Sequence, residues 1–406
     1  MRRGARCGRR SYAAALPTIA AVLLGLTGAA AGAAVGAAPY RPTDDGAILE
    51  RVPARSELER LAPLRAAVAV GPKDLAAARA LATGYISIGR RNSDPRFIAY
   101  AEATLEPWLA QPHPPESALV LQAIALQYLH RFDAALALLD RALAQAPLDG
   151  QAWLTRAALL ELRGDYAGAR RACARLVRAA DEFTALTCLR SVAGRSGQLA
   201  ESYAALEAAA DLDPAVSAPL RAWRLAVMAE MAERLGDDRA AEAHLTAALR
   251  AASDDPYLKA SYADLLLRLA RAPEVIALLS GSEAQDPLLL RLAIAGRRVA
   301  SPQAERWAQA YEARLAATER DGDTSHRREQ ALYLLEVRGD ARAALRAAAA
   351  NWSVQREPAD LRVYAAAARR AHSDADRAVI AAWVGATRYE DRILPAEGSA
   401  AAGQQP

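Results

Sequence analysis

The chain has 406 residues, 53% of them hydrophobic but only 5% aromatic, with alanine dominant and a formal charge of +4. That length exceeds one compact core, and alanine-rich stretches without alternating strand formers exclude a sheet protein and point to packed helices. The positive balance comes from residues 1–38, which hold five arginines and no acid; the remainder stands at −1, and a nucleic-acid surface is not implied.

Residues 1–38 read as a signal peptide. Arg2, Arg3, Arg6, Arg9 and Arg10 form its basic start, an uncharged run from Ala13 to Ala38 follows, and Ala31-Gly32-Ala33 suits cleavage. Left uncleaved, the same run is long enough to anchor the chain in a bilayer, and it is the only expected membrane contact. Either way the bulk of the chain is exported, to the periplasm or beyond. Arg9-Arg10-Ser11-Tyr12 partly matches a twin-arginine signal, although Ala13 stands where a large apolar residue is expected. Cys7 precedes the apolar run and is not placed for lipid attachment. Residues 39–54 form an extended leader, and Ser56 with Glu59 makes a capping box that starts a helix through about Val70.

Beyond this point a period of 34 residues organises the sequence. Ala101, Ala135, Ala169, Ser202, Ala241, Val275, Ala344 and Ala378 form a ladder of small or compact residues, with one rung missing near Ala308 to Ala310. Such a period marks stacked two-helix units. The first copy joins Leu75–Gly89 to Phe97–Leu109 through a turn lengthened by Arg90–Asp94. The unit from Glu116 to Asp149 carries Ala123, Ala135, Ala142 and Pro147 at places 8, 20, 27 and 32. The next, from Gly150, has Trp153 at place 4, Ala157 at 8, Gly164-Asp165-Tyr166 at 15 to 17 and Ala169 at 20. Small residues at 8 and 20 let the two helices cross closely, Gly-Asp suits the inner turn, and the proline ends the second helix.

Cys173 and Cys188 are equidistant from the turn at Ala179–Glu182, so antiparallel helices bring them to similar heights. They form a disulfide in an oxidising compartment if they face each other, and are two buried thiols if they do not. The step from Ser202 to Ala241 is 39, and the extra residues around Asp211–Arg221, with Pro214 and Pro219, predict a kink. Weaker units follow. Ala229 with Ala241, Ala263 with Val275, Gly339-Asp340-Ala341 with Ala344, and Ala366 with Ala378 mark them, while residues 283–320 are placed by spacing alone. The organisation is thus a helix and repeats over 55–210, an irregular kink over 211–221, repeats over 222–389 and a disordered tail over 390–406.

The small residues at places 8 and 20 and the proline at 32 closely resemble the tetratricopeptide repeat. The resemblance covers about residues 71–389 in about nine units and implies an all-α, right-handed superhelical solenoid of antiparallel helix pairs. It also implies that the first helix of each pair lines the concave face through places 2, 5, 9, 12 and 13. Those places fall on Ile124, Gln127 and Tyr128; on Gln151, Leu154 and Glu161; and on Trp223, Glu230, Glu233, Tyr257, Asp264 and Arg268. An aromatic at place 2 and an acid at place 9 in two successive units predict a groove for an extended segment with basic and apolar side chains. The alternative is a solvated inner face with packing aromatics, and Trp153 reads as core. The chain lacks the lysines and asparagines with which the family grips acidic chain ends: lysine occurs only at Lys73 and Lys259.

Catalytic and metal motifs are absent. There is no His-Glu-x-x-His, Gly-x-Ser-x-Gly or Gly-Lys phosphate loop, and the five histidines show no ligand spacing. The expectation is a noncatalytic, cofactor-free protein-interaction scaffold of the bacterial envelope. Two alternatives stand beside it: capture of a peptide or small ligand, and a hydrolytic or cell-wall enzyme using unrecognised carboxylates.

Overall fold

The computed structural model describes residues 55–209, 216–320 and 326–394, all within the second of the chain's two units, Val52–Pro406. The expected signal segment, leader, Cys7 and the tail beyond residue 394 lie outside the described residues.

Alanine-rich, capped segments give helices throughout, and no strand occurs among the described residues. Two short helices, α1 (Arg55–Arg60) and α2 (Ala62–Val70), lead in. The single helix expected here is broken at Leu61, because Pro63 cannot donate a backbone N–H and instead sits in the first turn of α2. Antiparallel pairs follow. They are α3 (Leu75–Asn92) with α4 (Pro95–Leu109), α5 (Glu116–Tyr128) with α6 (Phe132–Gln145), and α7 (Gly150–Leu162) with α8 (Tyr166–Ala179). Next come α9 (Glu182–Gly194) with α10 (Leu199–Ala208), α11 (Ala218–Leu235) with α12 (Asp238–Ala251), and α13 (Pro256–Arg268) with α14 (Ala272–Leu279). The last are α15 (Asp286–Arg298) with α16 (Ala304–Arg320), α17 (Arg327–Tyr333, prolonged by a π-turn over Leu334–Arg338) with α18 (Ala341–Trp352), and α19 (Pro358–Arg370) with α20 (Asp374–Thr387). This is the all-α solenoid of helix pairs that the repeats predict.

One residue in the left-handed region turns each pair: Ser93, His130, Gly164, Gly197, Gly236, Ala270, Ala300, Gly339 and His372, with φ between 53° and 86°. Glycine suits that conformation, and here serine, histidine and alanine hold it too. The residue after the turn commonly caps the second helix, and Asp94, Asp165, Asp237 and Asp340 do so with a side-chain oxygen on a backbone N–H. Ala270 to Ala300 is a step of 30 residues and Ala300 to Gly339 one of 39, which is where the regular ladder loses its rung.

The rungs themselves are the crossings. Ala123 against Ala135, Ala229 against Ala241 and Ala263 against Val275 are all buried, and Ala169, Ser202 and Ala344 are fully so. Two expected rungs are out of register. Ala101 is buried but lies one turn past the crossing, where Ile98 packs instead against Gly89; a Cβ on that glycine would come within 3.1 Å of Ile98 Cδ1. The first turn is not lengthened either, since α3 runs on to Asn92. Ala378 is exposed and Ala366 only half-buried, because Ser373 caps α20 and shifts the crossing by one residue. In the pair placed by spacing alone, Trp307 fills the crossing opposite Gly296, where a Cβ would stand 3.0 Å from the indole ring. A large residue on one helix is matched by no side chain on the other.

Residues 210–215 lie outside the description, but 218–221 form the regular start of α11, with Pro219 in its first turn. The kink expected over 211–221 does not extend over 218–221, and its part at 211–215 lies outside the described residues. In α8 and α9, the sulfurs of Cys173 and Cys188 are bonded, with Cα atoms 5.5 Å apart.

Candidate functional site

The first helices of successive pairs touch along the array, and α3 also touches α13, five pairs further along the chain. The Gln285 amide donates to the Arg91 carbonyl at 3.0 Å across the same closure. Further along, the backbone N–H of Arg356 donates to the Leu162 carbonyl at 2.7 Å, and Trp383 stands edge-on to Tyr166. The superhelix of the described residues is closed upon itself.

The segment after α20 completes this closure. Arg234, fully buried, lies 4.2 Å over the Tyr389 ring, donates its Nε to the Glu390 carbonyl at 2.9 Å, and accepts the Arg392 N–H at its own carbonyl. Glu390 takes the free N–H of Leu199 at the start of α10, Asp391 pairs with Arg362 at 2.9 Å, and Leu394 packs on the last apolar cluster. The disorder expected from residue 390 therefore does not extend over Glu390–Leu394, because buried arginines bind this stretch through backbone and side chain alike.

Closure changes what the predicted groove residues do. Glu230 pairs with Arg195 at 2.5 Å and with Arg234 at 3.3 Å; Glu233 pairs with Arg268 at 3.1 Å and with Arg362 at 2.7 Å. Asp264 pairs with Arg291 at 2.7 Å, and Arg268 also holds Asp238. Glu161 accepts the Ser191 hydroxyl at 2.7 Å beside Arg195. Burial opposes the Glu230 carboxylate, yet Arg195 and Arg234 outweigh it and hold its pKa below the usual value. At Glu161 burial dominates and the pKa rises. Trp223 packs on the apolar cluster around Cys173 and Cys188, and Gln151 is exposed and bonds Thr155 on its own helix. Trp153 is half-buried, its indole N–H on the Pro147 carbonyl. An open groove offering free acids is thus corrected: arginines of the same chain have already neutralised them.

What remains is a chamber of about 330 Å³, walled by both halves of the array. Gln127, Tyr128 and Ile124 reach it from α5, and Tyr257 and Ala260 from α13. Arg90 of α3, His130 and Phe132 at the turn into α6, His326, Arg328 and Glu329 at the start of α17, and Asn351 of α18 complete most of the wall. A smaller space of about 100 Å³ adjoins it, sharing Tyr257, Ala260, Arg328 and Glu357 and reaching Glu230, Glu233 and Asp264. Tyr257 is 52% exposed, but to the chamber, where burial among neighbouring acids pushes its phenol pKa up.

Arg328 is the electrostatic centre of the wall. Its Nε and Nη2 each lie 3.1 Å from Glu329 and its Nη1 2.8 Å from Glu357, with Asp360 at 3.5 Å. Burial works against the Glu329 carboxylate, but Arg328 and Arg291 bring its pKa down to about 2. Asp360, deeper and with one oxygen lacking a hydrogen bond, is pushed up to about 7 by burial. His130 is shifted down by burial and by the nearby His326 and Arg328.

Of the predicted residues the structure gathers Gln127, Tyr128 and Tyr257 at the chamber and Glu230, Glu233 and Asp264 at its annex. It leaves Gln151, Glu161, Trp223 and Arg268 out of both. Arg90, His130, His326, Arg328 and Asn351 were not legible as site residues. His130 did carry a signal, since it occupies the turn position that glycine fills at Gly164, Gly236 and Gly339. Among the described residues no group of three or more His, Cys, Asp or Glu side chains is placed to hold a metal, and no helix is long and apolar enough to cross a membrane.

No protein-family model matches the sequence and no curated protein matches it. Among solved structures, the chain is similar to one from the APC/C hetero-tetramer Cut9-Hcn1, at 14% identity and TM-score 0.39 over 77% of this chain and 52% of that one. It therefore spans about half the length of that relative. A thermophilic TPR protein of Thermus thermophilus is 26% identical at TM-score 0.34, over 48% of this chain and 98% of the other. A tetratricopeptide repeat protein from Parabacteroides merdae is 13% identical at TM-score 0.36, over 64% and 92%.

Proposed function

We propose that this tetratricopeptide-type interaction scaffold is a noncatalytic binding protein of the bacterial envelope, holding a partner's compact end or a small ligand in its chamber. The observation that carries the reading is the wall itself: residues from α3 and α5 face residues from α13, α17 and α18 across one space of about 330 Å³. That volume lies at the small end of the roughly 300–1,000 Å³ typical of small-molecule sites. A helix about 10 Å across does not fit it. An extended segment reading the acids at Glu230, Glu233 and Asp264 would have to displace the arginines already bound to them. Export is supported by the basic, then uncharged pattern of residues 1–38 and by a bonded cysteine pair suited to an oxidising compartment.

The test is recovery of the tagged protein from an envelope extract, as wild type and as Gln127→Ala/Tyr257→Ala, followed by native mass spectrometry and identification of co-purifying proteins. Wild type is expected to carry a bound small molecule, peptide or partner that the double variant lacks. The same bound species in both would remove the chamber from the function.

A further inference from the structure

With the chamber taken as the binding site, its preference follows from the balance of its wall. The positive charges of Arg90 and Arg328 stand against the negative charges of Glu329 and Glu357, so formal charge selects neither an anion nor a cation. The hydrogen-bonding capacity is two-sided as well. Asn351 is only 5% exposed, yet its amide has no hydrogen-bond partner among the described residues, and a buried amide left unpaired is costly. The Gln127 amide and the Tyr257 hydroxyl are also unpaired there. Each of these groups can both donate and accept. Burial and the neighbouring His326 and Arg328 hold the His130 pKa down, so its neutral ring offers one donor and one acceptor at pH 7. Arg328 occupies one oxygen of Glu329 and one of Glu357, which leaves acceptor sites on both carboxylates. All these groups converge on about 330 Å³, so a ligand that satisfies them carries a hydrogen-bonding atom on nearly every carbon. A sugar ring does; a peptide segment of that size separates its amides with carbon that carries none. Pro256, Pro287 and the Tyr257 ring supply apolar surface for the C–H face of such a ring.

We propose that the chamber binds a neutral sugar ring, its hydroxyls bridging the amides of Asn351 and Gln127, the His130 ring and the open carboxylate oxygens, and its C–H face resting on Tyr257 and the two prolines. A free sugar and the terminal unit of a glycan share this chemistry. Calorimetric titration of the full chain separates the cases. The probes are glucose, galactose, mannose and N-acetylglucosamine, the uronate and amino-sugar relatives of the tightest binder, its linear trisaccharide, and cyclohexylmethanol as a ring with a single hydroxyl.

At least one of the four sugars is expected to bind about tenfold or more tightly than cyclohexylmethanol, since two neutral hydrogen bonds are together worth about that factor. It is also expected to bind more tightly than its charged relatives. Binding of the trisaccharide as well identifies a glycan end as the source, and binding of the single sugar alone identifies a free sugar. Asn351→Leu keeps the branched shape and removes an amide that nothing in the protein bonds, and it is expected to weaken binding about fivefold or more. Gln127→Leu, at a half-buried position, is expected to do the same and serves if Asn351→Leu does not fold. Binding of none of the four sugars, no advantage over cyclohexylmethanol, tighter binding of the uronate or amino sugar, or unchanged affinity in a folded variant each overturns the sugar assignment. The chamber reading survives those results if the envelope-recovered ligand is still lost in Gln127→Ala/Tyr257→Ala, and falls with them if it is not.

Discussion

The pairs α5–α8 and the pairs α15–α20 are built from the same helical unit but held in place differently. In the first region alanines fill the crossings and turns fall 34 residues apart, so neighbours pack regularly, and the far end adds only Arg356 on Leu162 and aromatic or apolar contacts such as Trp383 on Tyr166. In the second, the crossings are irregular, a π-turn extends α17, and arginines reach across the array to Glu233, Leu162 and the segment after α20. The comparison teaches that a repeat can lose its internal regularity where the rest of the molecule holds it. Local packing specifies one end, and long-range ionic contacts specify the other.

The largest test removes such a contact. Arg234→Ala leaves Glu230 with one partner fewer and opens the grip on Tyr389 and Glu390, at a cost of about 3 kcal/mol, the low end for breaking a buried ion pair. Urea titration with hydrogen exchange is expected to show lost protection in α19 and α20 while α5–α8 keep theirs. Equal loss in both regions would abolish the distinction.

A smaller effect is expected from filling a crossing. Ala135→Leu forces a side chain into a fully buried contact and should cost about 1–3 kcal/mol, whereas Ala378→Leu, on the exposed face of α20, should stay within about 0.5 kcal/mol. Thermal midpoints of the two variants decide it, and similar shifts would restore Ala378 to the ladder.

The smallest concerns the turns. Ala270 holds φ 59° where other units use glycine. Ala270→Gly relieves about 1–2 kcal/mol of left-handed strain but gives back about 0.4–1 kcal/mol in unfolded-chain freedom, so a net gain of about 0.5–1 kcal/mol is expected. Gly164→Ala is expected to reverse the sign, and more strongly, because its Cβ would meet Arg356 Cδ at 3.1 Å. A gain in both would mean that turn strain does not govern these positions.

The legible part of this chain is the part set by neighbours in sequence. Ala123 with Ala135 and Gly164 with Asp165 disclose the helix pair because the crossing and turn each depend on residues a dozen positions apart or fewer. Trp307 conceals its crossing, since its fit is understood only against the bare Cα of Gly296. The chamber was less legible still. Tyr257 and Gln127 are found by their place in the unit, but whether their surface is open depends on contacts such as Arg362 with Glu233, 129 residues apart. Glu230 and Glu233 looked available for the same reason: apart from Arg234, one turn beyond Glu230, the arginines that claim them stand in other units.

The hold of Arg234 on the segment after α20 also limits how this protein can change over generations. An open array tolerates duplication or deletion of a unit, because each unit touches only those beside it. Here the fifth pair must meet the residues that follow the ninth, so one pair gained or lost between them would carry Glu390 away from Leu199 and Arg362 away from Glu233. A contact, not the ladder, sets the number of repeats: the sequence is free to drift unit by unit, but not to grow by one.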